Sequence, residues 1–237
     1  MTAAPFLPLL PRYDRADQIG YALTTPSPAP MASGGPGFDR PLFTTITDFA
    51  DHTRWLNDAM LWWTDAGLGI FAVLMVIGWW LARRRDDRTM ALALLAPVSV
   101  VAAYMVAEVV KVIVAEPRPC RGVPTAYILE NCPVASDYSF PSGHTTTAAA
   151  TVAALFLLNR RLGWVTAVFA LVLAFSRVYV GGHYPHDVVA SAILAVPVAA
   201  AVSLLLARPV TALVVRMRSS TLAPLVVDSE RNAAPRA

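Results

Sequence analysis

The chain has 237 residues, of which 56% are apolar and only 15% charged, and its formal net charge is +3. With a mean hydropathy of +0.53 it is too apolar for an ordinary soluble domain, so the class it indicates is an all-α, polytopic membrane helix bundle. Its basic residues cluster at the ends of apolar runs and form no long basic face, which excludes nucleic-acid binding as the main function.

Residues 1–38 carry many of the prolines and several glycines (SPAPMASGGPG), a composition unable to bury enough surface to offset chain entropy, and read as a flexible tail. The first ten residues, MTAAPFLPLL, lack the basic start of a signal peptide, so no cleavage is expected. From residue 43 to 66, Phe49, Trp55, Leu56, Met60 and Trp63 recur at near-helical spacing among acids, predicting an amphipathic helix lying at the membrane interface. A bilayer core needs about 20 apolar residues per helix, and five segments approach that: 67–82, 89–115, 144–158, 163–180 and 188–207. A membrane domain over 39–207 and a basic cytoplasmic tail over 208–237 follow.

Arginines mark alternate ends of these spans: Arg83, Arg84, Arg85 and Arg88 after the first, Arg160 and Arg161 after the third, Arg208, Arg216 and Arg218 after the fifth. By the positive-inside rule those ends are cytoplasmic. The loop 116–143 and the turn 177–187 then face the extracytoplasmic side of a plasma membrane. Both cysteines, Cys120 and Cys132, fall in that outward loop, where an oxidising compartment favours a disulfide.

Ionisable groups inside apolar segments are expensive and mark function. Lys111 is the chain's single lysine, placed near the outer end of the second span, and Arg118 follows seven residues later, with Pro117 expected to end the helix between them. Pro141, Ser142 and Gly143 make a turn, and a helix starting near His144 would aim unpaired backbone amides at an anion. The fourth span ends in SRVYVGGHYPHD, which supplies Arg177, His183 and Asp187, with Pro185 suited to the first turn of the fifth helix. His186 reads as a polar interface residue.

Taken together, K-x6-RP at 111–119, PSGH at 141–144 and SR-x5-H-x3-D at 176–187 resemble the three signature segments of the type 2 phosphatidic acid phosphatase superfamily, with every specified residue present and in order. The stretch 43–82 and the compact length look most like the bacterial undecaprenyl-diphosphatase branch linked with bacitracin resistance. The resemblance implies a lipid phosphatase working through a phosphohistidine. His183 would be the nucleophile, Asp187 its orienter, and His144 the acid for the leaving group and then the base for water. Lys111, Arg118 and Arg177, with Ser142, Gly143 and the amides of that turn, would bind the phosphate.

No cofactor is expected. His144, His183, His186 and Asp187 offer metal-ligand chemistry, but three neighbouring cations repel a divalent ion and attract phosphate. The expected partners are a lipid phosphate or diphosphate and the bilayer. Glu108, a helical turn before Lys111, reads as its ion-pair partner. A polyprenyl diphosphate is the leading substrate; phosphatidic acid and phosphatidylglycerol phosphate remain open, because the motifs grip phosphate and leave the lipid to the groove between helices. A vanadium haloperoxidase and a silent anion-binding transporter are further readings, against which stand the apolar spans and the retention of His183 with Asp187.

Overall fold

The structure is a computed structural model and describes residues 38–227, whose regular elements are all helices. They are α1 (Arg40–His52), α2 (Arg54–Ala82), α3 (Asp87–Val114), α4 (Pro119–Gly122), α5 (Gly143–Leu158), α6 (Arg160–Tyr179), α7 (Pro185–Arg218) and α8 (Ala223–Val226). The expected N-terminal tail, Phe38 excepted, and residues 228–237 lie outside the described residues.

Helices α2, α3, α6 and α7 are long and apolar enough to cross a membrane, while α5 is apolar but shorter. Its 16 residues span about 24 Å, less than a bilayer core of about 30 Å. Packing explains why a short helix suffices. Alanine and threonine dominate α5 from Thr145 to Ala154, small side chains that let backbones approach closely. It is buried on almost every side and packs against α3, α6 and α7. Ala148, Ala150 and Leu155 are fully enclosed, and Ala103, Ala195 and Ala199 meet it from α3 and α7.

The outer helices show the reverse pattern, with large apolar groups outside and small or polar ones inside. Val101, Met105, Val112 and Ile113 on α3 and Leu205 on α7 are exposed, as a lipid-facing surface requires, while Ser99, Ser191 and Ser203 are buried. Ser99 and Ser191 satisfy their hydroxyls on their own helices, at Ala96 O and Asp187 O.

Two segments differ from the sequence reading. The amphipathic stretch is not one interfacial helix: Thr53, at φ −115° and ψ 48°, breaks it into α1 and the first turns of α2, which then runs unbroken into the first span. Phe43, Thr47 and Ala50 are the buried residues of α1, whereas Phe49 and Trp55 are exposed. At the other end, α7 does not stop at residue 207. Leu213, Val214 and Val215 continue its apolar pattern past Pro209 to Arg218. Val226 and Val227 then fold back to pack on Ala82, Met90 and Val214. Arg83 secures that return by donating to Pro224 O and Val227 O.

Helix termini are placed by side-chain caps. Asp86 accepts from the Thr89 amide at 2.9 Å to start α3, and Asn159 accepts from the Arg161 amide at 2.9 Å to start α6. Antiparallel stacking puts the end of α3, the start of α5, the end of α6 and the start of α7 together. The arginine clusters gather at the opposite end, where Arg218 bonds Arg85 O and pairs with Asp87.

Candidate active site

Three breaks in the helices build the site. The last turn of α3 carries Lys111, and the helix closes at Ala115, a left-handed residue (φ 52°) whose amide returns to Lys111 O at 2.9 Å. Pro117 follows and cannot continue it. A disulfide between Cys120 and Cys132 closes part of the loop 116–143, two residues beyond Arg118 and two beyond Glu130. At the end of α6 the chain turns through Gly181, whose φ of +79° suits glycine, and Gly182 into α7.

The expected residues converge. Arg118, 7% exposed, places its Nη1 3.1 Å from His183 Nε2 and donates to Gly182 O at 3.1 Å. The His183 amide bonds Arg177 O at 3.2 Å, locking the nucleophile candidate to the end of α6. Lys111 reaches the start of α5, its Nζ lying 3.9 Å from where a Cβ on Gly143 would sit. Any side chain there would crowd Lys111 and Tyr104.

Ser142 is the N-cap of α5: its hydroxyl oxygen accepts from the Thr145 amide and hydroxyl, at 3.5 and 3.2 Å. A hydroxyl that accepts still has its own proton to donate. The amides of Gly143 and His144 open the helix with no carbonyl a turn before them, which suits an anion.

The partners of His183 settle which nitrogen carries its proton. A guanidinium only donates, so Arg118 on Nε2 makes that nitrogen the acceptor. Nδ1 then bears hydrogen, facing Asp187 Oδ2 at 3.4 Å and Ser139 Oγ at 3.5 Å. Burial first, then the charges of Arg177, Arg118, Lys111 and His144, push the His183 pKa well below the ordinary imidazole value. The result is a neutral ring with an available lone pair on Nε2. Asp187 is fully buried, and its Oδ2 accepts from the Tyr184 amide at 2.8 Å and from the Ser139 hydroxyl.

Several participants are invisible in the three motifs. Each of the three cations expected to bind phosphate has a carboxylate partner: Lys111 with Glu108 at 2.9 Å, Arg118 with Asp137 at 3.0 Å, and Arg177 with Glu130 at 2.8 Å. Only the first was expected, from helical spacing. The Arg177 pair is built into the backbone. Leu129 and Glu130 both donate their amides to Val180 O at 3.0 Å, and a Cβ on Gly182 would stand 1.9 Å from Glu130 Oε2 and 2.6 Å from Arg177 Nη2. Arg177 keeps an unspent donor, since its buried Nε has no acceptor. Glu130 and Asp137, acids in the loop between the motif segments, were the available signal for such pairing.

His186, expected as a polar interface residue, has a side chain only 13% exposed. It sits inside the cluster, bonded to Asp39 and Glu116.

A multi-pass helical bundle whose breaks join a buried histidine–aspartate pair to an ammonium and two guanidinium groups defines a membrane phosphatase. The chain belongs to the PAP2 superfamily, whose model matches residues 91–210. It is 30% identical over 155 residues to undecaprenyl-diphosphatase BcrC of Bacillus subtilis (strain 168), covering 65% of this chain and 77% of that protein. It is 36% identical over 108 residues to the undecaprenyl-diphosphatase of Sulfolobus acidocaldarius, covering 45% of this chain and 52% of the relative. Among solved structures it resembles the crystal structure of Aquifex aeolicus LpxE, with a TM-score of 0.54 and 21% identity over 74% of this chain and 99% of that one. That likeness concerns the fold.

Proposed function

We propose that the protein hydrolyses a polyprenyl diphosphate of the undecaprenyl type to the monophosphate, through a phosphohistidine on His183, and so recycles a cell-wall lipid carrier. The observation that carries the chemistry is the opposed bonding of the His183 ring, with Arg118 on Nε2 and Asp187 beside Nδ1. The names of the two undecaprenyl-diphosphatase relatives support the substrate class.

In the first step the Nε2 lone pair attacks the terminal phosphorus and displaces the bridging oxygen, which leaves as lipid monophosphate with a proton from His144. Asp187 stabilises the positive charge that the ring acquires. Lys111, Arg118 and Arg177, with Ser142 and the first amides of α5, hold the phosphoryl oxygens as charge redistributes. In the second step His144 takes a proton from water, the water oxygen bonds phosphorus, and the P–N electron pair returns to Nε2. Arg118 covers Nε2 in the resting site, so the incoming phosphate must draw the guanidinium onto itself before attack.

The arginine-rich end supports a cytoplasmic placement for that end and an extracytoplasmic site in the plasma membrane. No metal enters the scheme. The test is phosphate release by purified enzyme in detergent from undecaprenyl diphosphate, phosphatidic acid and phosphatidylglycerol phosphate. The expected result is the highest kcat/KM for the diphosphate, persistence in EDTA, inhibition by vanadate, and loss in His183→Ala of about 10^3-fold or more. Equal rates on all three lipids refute the substrate assignment. Full activity in His183→Ala, or loss in EDTA restored by zinc, refutes the mechanism.

A further inference from the structure

His186 occupies a position that the three motifs leave unspecified, yet it is among the most completely engaged side chains in the molecule. Its backbone amide and its Nδ1 both meet Asp39 Oδ2, at 2.9 and 2.8 Å. Its Nε2 stands 3.0 Å from Glu116 Oε2 and 3.2 Å from Asp187 Oδ1. The ring faces are aromatic: Tyr184 and Phe140 stack on it at centroid distances of 5.5 and 5.9 Å, and Phe38 tilts against it at 5.9 Å.

Carboxylates accept and do not donate, so a ring with carboxylate oxygens at both nitrogens donates from both. A ring protonated twice is cationic, and aromatic faces suit a cation. Asp187 divides its two oxygens accordingly. Oδ2 faces His183 and takes bonds from Ser139 and the Tyr184 amide, while Oδ1 faces His186. Oδ1 accepts no hydrogen bond in this buried setting and meets the His186 ring as an ionic contact.

We infer that His186 is a positioning residue for catalysis: it holds Asp187 by Oδ1 so that Oδ2 keeps its alignment with His183 Nδ1, and it anchors that alignment to α1 through Asp39 and to the end of α3 through Glu116. Removing the donor leaves Asp187 Oδ1 beside Glu116 with nothing between them. Two carboxylates within 4.8 Å of one another and without a cation between them favour uptake of a proton, and a protonated Asp187 no longer stabilises charge on the His183 ring. The cations that bind phosphate stay in place, so the defect belongs to kcat.

The inference rests on the phosphohistidine reading, and the experiment separates the two. Purified full-length protein in detergent is assayed with farnesyl diphosphate as wild type, H186F, H186Q, D187N and the H186F/D187N double variant. Thermal unfolding and protection from unfolding by vanadate monitor integrity. H186F keeps the stacking without the donors and is expected to lower kcat about tenfold or more, with KM within about twofold. H186Q, whose amide restores donors, recovers most of the loss. In the D187N background H186F adds less than about threefold, because both act on one link. The inference is overturned by an unchanged kcat in H186F, by losses that multiply in the double variant, or by wild-type activity that EDTA removes and zinc restores. The last result would make Glu116, His186 and Asp187, whose ligand atoms lie within 4.8 Å of one another, a metal site instead. Full activity in His183→Ala would sink the phosphohistidine reading itself, whatever H186F does.

Discussion

The two ends of the bundle both pair arginine with carboxylate, but they differ in how deeply the cation is buried. At the arginine-rich end, Arg218 and Asp87 are both partly exposed, with side chains 23% and 36% accessible. At the site end the cation is the buried member and the acid the exposed one: Arg177 at 2% against Glu130 at 29%, Arg118 at 9% against Asp137 at 38%, and Lys111 at 12% against Glu108 at 34%. A surface pair of the first kind adds at most about 1 kcal/mol to stability. The second kind holds cations in fixed places with carboxylates as removable counter-charges. Under the proposed function, three carboxylates occupy the places that phosphoryl oxygens would take when substrate arrives.

This contrast is open to direct attack. The largest effect is expected from Arg177→Ala, which removes a buried guanidinium with an unspent Nε: kcat/KM should fall about 10^2 to 10^3-fold. A loss under tenfold would mean that Arg177 only braces Glu130. Next comes Gly182→Ala, whose new methyl group overlaps the Arg177–Glu130 pair and should displace the guanidinium, lowering kcat/KM about 10 to 100-fold. Glu130→Gln should act in the opposite direction. Without a competing anion on Arg177, KM for the phosphate substrate drops about threefold to tenfold, and an increase in KM would show Glu130 to be a scaffold. The smallest effect is reserved for the far end, where Arg218→Ala should leave kcat and KM within about twofold and lower Tm by a few degrees. Steady-state assays and thermal unfolding in detergent decide each case.

How much of this was readable in advance follows the range of the interactions. Hydropathy located the long spans because a lipid-facing helix must be apolar over a length that the bilayer sets. Helix α5, shorter than the others, was still legible as the apolar segment 144–158, and PSGH placed its start. The motifs supplied the residues that now surround His183. Glu108 was visible because its partner is three residues away. Glu130, Asp137, Ser139, Glu116 and Asp39 were not, since their contacts depend on how an irregular loop folds and span 19 to 147 residues. No periodicity encodes such a distance. The break at Thr53 and the extension of α7 beyond Arg208 escaped for a related reason: packing against Tyr179 and against Met90 decides them, not local composition.

The central helix has one more consequence. Because α5 touches protein on nearly all sides while its neighbours carry the exposed valines and leucines, a change in bilayer thickness acts first on the outer helices. Lys111, Arg177 and Asp187 ride on those outer helices, whereas Ser142 and Gly143 sit at the start of the enclosed one, so acyl-chain length should alter the fit between the two halves of the site.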